Sequence, residues 1–165
     1  PYVITMLVAN KPAVTSRITG LFSGRGYNLE SICGAPTHDP EVSRITIKTK
    51  ATLDQYNQIF KQLERLVDTI KVRDMTSTDK AVQREMAIIS VAVTNEKRKK
   101  LLDAAENFNA KIVSIADDAY VFEVTGSEEK VDSLLKVLRP FGIKKVARSG
   151  ILALYKELEA DHMSS

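Results

Sequence analysis

The sequence predicts an α+β protein with two ferredoxin-like βαββαβ units in tandem. Its apolar residues follow the period of a strand or of a helix in the order strand, helix, strand, strand, helix, strand, and this order occurs twice. A stretch without apolar periodicity, rich in Ser, Thr and charged residues, separates the two occurrences at residues 75–85. We therefore expect a first domain at 1–76, a linker at 77–84, a second domain at 85–158 and a tail at 159–165.

The first strand, residues 2–9, is apolar on both faces. Val3 and Leu7 point one way, whereas Ile4, Met6 and Val8 point the other way. A strand of this kind is usually covered on both sides. We therefore expect a second subunit or the second domain to cover the sheet face that carries no helices.

The first helix is expected from about Pro12, because proline is tolerated at a first helical position whose N–H has no helical partner. Gly24 and Gly26 lie where this helix would end. One face of the helix carries the apolar residues Val14, Ile18, Leu21 and Phe22. The other elements of this unit are strands at 27–36 and 44–49, a helix opened by a capping box at Thr52–Gln55, and a strand that holds Ile70 and Val72.

The second unit repeats the order of the first. Ser127 is expected to cap its second helix, whose first turn carries Glu128 and Glu129, and Pro140 and Gly142 are expected to end that helix. The predicted elements are a strand at 86–93, a helix at 95–108, strands at 111–117 and 119–126, the helix after Ser127, and one last strand at 144–156.

The composition is that of a globular protein. The chain has 165 residues, 44% of them hydrophobic, which is enough for a packed core. Its 24 Lys and Arg against 21 Asp and Glu do not imply nucleic acid as a partner. Cys33 is the only cysteine, so no intrachain disulfide can form, and we expect a cytoplasmic protein. No apolar run reaches the roughly 20 residues that span a bilayer, so no membrane partner is expected.

The sequence contains no recognisable catalytic or metal-binding pattern. His38 and His162 have no partner at ligand spacing, and His38 with Asp39 and Glu41 is more typical of a solvated turn than of a cation site. Cys33 lies in a predicted strand, where a buried, inert thiol is expected. Ser149 lacks the surroundings of a nucleophile elbow. We therefore predict a protein that is not an enzyme.

RNA-binding modules share the βαββαβ order and stack bases on aromatic residues of two central strands. The third strand of the first unit has no aromatic residue, and Tyr120, Phe122 and Val124 in the second unit are more typical of a core. The basic run at 97–100 is more typical of a solvated helix face than of a phosphate site. Nucleic acid is therefore the weaker alternative, beside a stand-alone module that senses an amino acid.

The start of the first helix is the candidate binding site. A helix N-terminus presents unpaired N–H groups and a partial positive charge, so it can hold a carboxylate or a phosphate. Asn10 offers a donor and an acceptor there, and the small Ala13 leaves room. The carboxylate of an amino acid would fit this site better than a triphosphate, although a plain, well-capped helix is also consistent with the pattern.

A long motif runs from Asn10 to Ile47, NKPAVTSRITGLFSGRGYNLESICGAPTHDPEVSRITI. It includes R-[IV]-x-G-L-F-S-x-R-G-[YF]-N-[IL]-[ED]-S at 17–31, the turn A-P-T-x-D-P, and S-R-[MI]-T-I at 43–47. In the second unit, KVARSG at 145–150 is similar to E-x-[AS]-R-[ST]-G. These motifs resemble the regulatory (small) subunit of acetohydroxyacid synthase, also called acetolactate synthase, whose N-terminal domain is an ACT domain.

The resemblance implies a non-catalytic regulatory subunit. In that family the subunit binds the catalytic (large) subunit, raises its activity and confers feedback inhibition by valine, sometimes by leucine or isoleucine. The resemblance also implies that thiamine diphosphate, Mg²⁺ and FAD belong to the catalytic chain and that this chain carries no cofactor. The second domain is expected to contribute to assembly and activation.

The resemblance also implies a homodimer whose ACT domains pair side by side, with the effector at their interface. The effector contacts that match this sequence are Asn10, Lys11, Pro12, Ala13 and Val14 on one chain and Asn28 and Leu29 on the other. The family usually has glycine where this chain has Ala13. The added methyl group lies where the backbone must approach a carboxylate, so weaker or altered effector binding is expected.

Overall fold

The computed structural model describes residues 1–158, so the predicted tail at 159–165, with His162, lies outside the described residues. The described chain forms two compact units. The first contains residues 1–83 together with 150–158, and the second contains residues 84–149. This division differs from the predicted domains because the chain returns to the first unit at Gly150.

The first unit has the predicted order of elements. These are β1 (Tyr2–Ala9), α1 (Val14–Gly24), β2 (Asn28–Pro36), β3 (Val42–Lys50), α2 (Leu53–Arg65) and β4 (Thr69–Asp74). The strands pair antiparallel in the order β2-β3-β1-β4, the ferredoxin-like arrangement. The predicted capping box is present, since Thr52 Oγ1 accepts from Gln55 N and Gln55 Oε1 accepts from Thr52 N.

The core of the first unit lies between the sheet and the two helices. Ile4, Met6 and Val8 of β1 are at most 1% exposed. Around them pack the buried apolar residues of the helices and the other strands, Val14, Ile18, Phe22, Ile45, Ile47, Tyr56, Ile59, Leu63 and Val72. This arrangement confirms the apolar stripe predicted for the first helix, of which Leu21 is partly buried and packs against the core.

The other face of this sheet, which we call the second face, is covered by the first unit itself at the start of β1. Val3 packs in a buried apolar cluster with Met75, Ala81, Ile151 and Ala153. The prediction of a covered second face is therefore confirmed at this end of β1, but the cover includes residues that follow Gly150 in this same chain.

Two predictions about the connecting segments are wrong. The expected linker at 77–84 includes the start of β5 (Ala81–Ala92), and Ala81 is buried. The expected single strand at 144–156 is two strands, β8 (Ile143–Arg148) and β9 (Leu152–Tyr155). The strand breaks because Gly150 adopts φ +83°, a conformation that glycine tolerates and that interrupts extended backbone.

The second unit repeats the same architecture. It contains most of β5, α3 (Arg98–Asn107), β6 (Lys111–Ile115), β7 (Ala119–Gly126), α4 (Glu128–Leu138), a short 3₁₀ helix (Arg139–Phe141) and β8. The strand order is β6-β7-β5-β8, and β9 also pairs with β5. Ser127 caps α4 as predicted, since its side chain accepts from Lys130 N at 3.1 Å.

The aromatic residues of the second unit belong to its core. Tyr120, Phe122 and Val124 are 7%, 0% and 1% exposed, and they pack with residues of α3 and α4. No base could stack on these rings without unfolding the unit. This confirms that the three residues are core residues rather than an RNA-binding surface.

The segment that resembles the family's E-x-[AS]-R-[ST]-G element contains a charged network. Arg148 contacts the buried Glu85 at 2.6 Å and Asp132 of α4 at 2.8 Å. Burial alone would lower the pKa of Arg148, but the hydrogen bonds to Asp132 and Glu85 outweigh it and raise that pKa. The network ties β5, β8 and α4 together.

Candidate functional site

The helix α1 begins two residues later than predicted. Its first helical residue is Val14, preceded by Ala13 at φ 72° and ψ −2°, in the left-handed region. The prediction of Pro12 as the first helical residue is therefore wrong. Because only glycine adopts the left-handed region without cost, the backbone of Ala13 has the conformation that glycine would favour at this position.

Within residues 1–158, the N-terminus of α1 has no side-chain cap. No side-chain hydrogen bond caps it and its first turn contains no acidic residue. By contrast, Thr52 caps α2 and Ser127 caps α4. The interpretation of this segment as a well-capped helix therefore fails, and the first N–H groups of α1 remain available to an anion.

The loop that precedes α1 is anchored to the turn between β2 and β3. Asn10 N donates to Glu41 O at 2.7 Å, and Asn10 Nδ2 donates to Pro40 O at 3.0 Å. These bonds hold residues 10–13 against a neighbouring turn. The site therefore has a fixed backbone on the side of the helix start.

Asp68 provides the main charge contact of this site. Its carboxylate contacts Arg17 Nη1 at 3.1 Å and Lys11 Nζ at 3.5 Å. Two cations against one anion leave the cluster with an excess of one positive charge at pH 7, which favours an anionic ligand near the helix start. Sequence reasoning missed Asp68 and Arg17 as members of this site, because Asp68 is 51 residues away from Arg17 along the chain.

The structure places the other two predicted contacts elsewhere in the sheet. Asn28, which is exposed, and Leu29, which is half-buried, begin β2. Asn28 pairs with Lys50 of β3, whereas Ala9, the residue before the helix loop, is level with Val42 at the opposite end of β3. Eight residues of extended strand separate these levels, or about 26 Å. Within one chain, Asn28 and Leu29 do not meet Asn10–Val14.

The strand β2 lies at one end of the strand order, so it is an edge strand. Its ladder with β3 is irregular between Leu29 and Ser31, where Glu30 forms an ion pair with Lys48 at 3.3 Å. An edge strand presents unpaired backbone N–H and C=O groups to another strand. The residues Asn28 and Leu29 therefore stand at a sheet edge where a second chain can pair.

The remaining candidates from the sequence form no further site. His38 lies in the turn between β2 and β3, and Cys33 is half-buried in β2 rather than buried as expected. Among residues 1–158, no group of three or more His, Cys, Asp and Glu side chains could hold a metal ion. In the same described part of the chain, no helix combines the length and the apolar character needed to cross a membrane.

Comparisons with known proteins agree on one family. Residues 84–157 match a family profile described as the small subunit of acetolactate synthase, and residues 4–71 match one described as an acetohydroxyacid synthase small subunit-like ACT domain. The acetolactate synthase small subunit of Aquifex aeolicus (strain VF5) is 39% identical over 158 residues, which cover 95% of this chain and 82% of the relative. That of Bacillus subtilis (strain 168) is 40% identical over 152 residues, which cover 92% of this chain and 88% of the relative.

A solved structure shows the same fold along nearly the whole chain. The crystal structure of the acetolactate synthase small subunit from Thermotoga maritima matches with a TM-score of 0.86 and 32% sequence identity. The match covers 94% of this chain and 97% of that chain.

Proposed function

The chain belongs to the family of acetolactate synthase small subunits, and on that premise we propose that it activates the catalytic subunit. We also propose that it makes the catalytic subunit subject to feedback inhibition by a branched-chain amino acid, with valine as the first candidate. It is a regulatory subunit. In this proposal the thiamine diphosphate, Mg²⁺ and FAD belong to the catalytic partner, and the complex works in the cytoplasm in the synthesis of valine, leucine and isoleucine.

The observation that carries the proposal is the uncapped N-terminus of α1 beside a cluster with one excess positive charge. A carboxylate placed there would accept from the first N–H groups of the helix and would be attracted by Lys11 and Arg17. Asn10 and Ala13 are both exposed, so this position is open to solvent. The site so described fits the carboxylate of a free amino acid.

The distance between the two halves of the predicted site supports a dimer. If β2 pairs antiparallel with β2 of a second copy, the start of one β2 lies beside the end of the other. Pro36, at the end of β2, is level with Ser43 of β3, and Ser43 is level with Val8 near the end of β1, just before the helix loop. The start of the partner's β2 would therefore approach Asn10–Val14. A two-fold dimer of this kind would form two equivalent sites, each with a helix start from one chain and Asn28 with Leu29 from the other.

The effector would act by binding one dimer arrangement better than another. Each site would hold two chains at a fixed distance. An amino acid bound there would stabilise that dimer arrangement over another by the difference between its binding free energies for the two arrangements. The arrangement of the regulatory dimer would then alter the activity of the catalytic subunit bound to it. Ala13 would weaken this effector response without affecting activation, because its methyl group adjoins the carboxylate position.

The two alternatives from the sequence are weaker. An RNA-binding module would need exposed aromatic residues, and the aromatic residues of β7 are buried. A stand-alone amino-acid sensor would need no catalytic partner, but the second unit matches a profile described as the small subunit of acetolactate synthase.

The experiment that tests the proposal measures acetolactate formation by a purified catalytic subunit, with and without this chain, over a range of valine concentrations. We expect the chain to raise the rate and valine to reverse the increase. Asn28→His should keep the activation and lose the response to valine, and Asn57→His, the same change on the exposed face of α2, should keep both. Equal loss of activation and valine response in Asn28→His would refute the separate roles.

A further inference from the structure

A row of polar residues crosses the second face of the first unit's sheet. By register, Cys33 of β2 lies opposite Thr46 of β3, Thr46 lies opposite Thr5 of β1, and Thr5 lies opposite Arg73 of β4. Thr5 and Thr46 are only 1% and 2% exposed. This row adjoins the apolar cluster around Val3, so it is a polar interruption of a covered sheet face.

Three atoms of this row are shielded from solvent and make no hydrogen bond within the described part of the chain. They are Thr5 Oγ1, Arg73 Nε and Arg73 Nη2. The remaining nitrogen, Arg73 Nη1, donates to the neighbouring carbonyl Val72 O at 2.6 Å. Nε and Nη2 form the side-on edge of the guanidinium, where two parallel N–H donors match the two oxygens of a carboxylate or phosphate.

The nearby carboxylate of Asp74 does not compensate Arg73. It accepts instead from Tyr56 Oη at 2.7 Å and from Thr76 N and Oγ1 at 3.1 and 2.6 Å. No ion pair joins Arg73 to any carboxylate among residues 1–158. A guanidinium cannot shed its charge by deprotonation in a protein, so a shielded arginine edge without an acceptor costs folding free energy that a bound anion would offset.

We propose that Arg73 and Thr5 bind a small oxyanion, a carboxylate or a phosphate group, on the second face of this sheet. The side-on edge of Arg73 would donate two hydrogen bonds to two oxygens, and the hydroxyl of Thr5 would donate a third. Entry is through the edge of the sheet, because β4 ends the strand order and Arg73 as a whole is only partly buried. The three atoms are shielded, so the ion must displace the side chains that cover them.

This site is separate from the effector site proposed above. Thr5 lies in the middle of β1, whereas the helix start follows the end of that strand. Its side chain also points to the sheet face away from α1, since Ile4 and Met6 on either side of it belong to the helix-side core. The inference therefore stands whether or not valine binds at α1.

The test follows the Nε–H signal of Arg73 in the full chain by proton–nitrogen NMR. Inorganic phosphate and, separately, sodium acetate are titrated while sodium chloride keeps the ionic strength constant. We expect a saturable shift of this signal with at least one of the two probes, and the tighter probe identifies the chemistry of the ligand. Thr5→Val, which keeps the shape of the side chain, should weaken the affinity at least tenfold.

A second measurement uses the thermal unfolding midpoint, which reports binding without the Arg73 signal. The preferred probe should raise the midpoint of the wild-type chain and leave that of Arg73→Met unchanged, while Arg65→Met on the exposed end of α2 should respond like the wild type. Arg73→Met removes an uncompensated charge, so this variant should fold and unfold at a higher temperature than the wild type in the absence of either probe. The proposal is overturned if chloride alone reproduces the shift, if neither probe saturates, or if Thr5→Val binds as tightly as the wild type.

Discussion

Replacing Ala13 with glycine should stabilise the first unit. Ala13 adopts φ 72°, and an L-residue in the left-handed region costs about 1–2 kcal/mol that glycine does not incur. Glycine loses more backbone entropy on folding, which offsets about 0.5–1 kcal/mol of that gain. The net stabilisation should therefore be about 0.5–1 kcal/mol, and valine should bind more tightly because no methyl group adjoins its carboxylate.

The change is best measured by native-state amide hydrogen exchange, which reports the opening free energy of each unit separately. The amides of α1 should show the increase. Ala104→Gly in the interior of α3 is the matched control, because glycine in a regular helix costs about 1 kcal/mol relative to alanine. If Ala13→Gly lowers the opening free energy as Ala104→Gly does, Ala13 does not occupy the left-handed region and the account of the helix start is wrong.

Three further substitutions test the conformation and contacts inside the individual units. Gly150→Ala should destabilise the first unit by about 1–2 kcal/mol in urea unfolding, because the residue adopts φ +83°. An unchanged unfolding midpoint would contradict the positive φ at this turn. Arg148→Met should lower the free energy of unfolding by about 2–3 kcal/mol, because it leaves Glu85, which is only 5% exposed, without its partner. A loss below about 0.5 kcal/mol in the same assay, which is what an ordinary surface substitution costs, would show that the network is dispensable. Burial and the hydrogen bond to Asp74 raise the pKa of Tyr56, so the wild type should lose stability as the pH rises above about 10, where the phenol of the unfolded chain ionises. Tyr56→Phe should be less stable than the wild type at pH 7 and should lose less stability between pH 7 and pH 11. Parallel curves of stability against pH for the two proteins would refute this role of Tyr56.

Most of the strands and helices could be predicted because each of them rests on a local pattern. The capping box at Thr52–Gln55 and the cap at Ser127 are satisfied within three residues of the chain, so the sequence alone contains both partners. The order of the strands follows from the repeated βαββαβ pattern, since this order of elements commonly folds into one sheet arrangement.

The features that the sequence did not predict depend on contacts between distant residues. Nothing local distinguishes a strand at 144–156 from two strands divided at Gly150, because the turn depends on a backbone conformation and on the return of the chain to the first unit. The start of α1 at Val14 likewise depends on the left-handed conformation of Ala13, which is unusual for alanine. Asp68 reaches the helix start only in the folded unit.

The candidate site itself was indicated in part by local chemistry and in part by family resemblance. The helix start could be found from Asn10 and Pro12, since a strand followed at once by a helix is visible in the pattern. Asn28 and Leu29 could not be joined to it by physical reasoning from the sequence, because the two groups lie at opposite ends of one sheet. Only the pairing of two chains would bring them together.

The most direct test of the central claim, a valine site shared between two chains, mixes two variants that are each defective in a different half of the site. Ala13→Asp places a carboxylate where the valine carboxylate would bind, and Asn28→His alters the other half. Titration calorimetry should detect no valine binding to either variant alone. After subunit exchange in an equal mixture, half of the dimers are mixed and each has one intact site, so about one quarter of the wild-type sites should return. If native mass spectrometry shows mixed dimers and no binding returns, the site does not consist of a helix start from one chain and a strand start from the other.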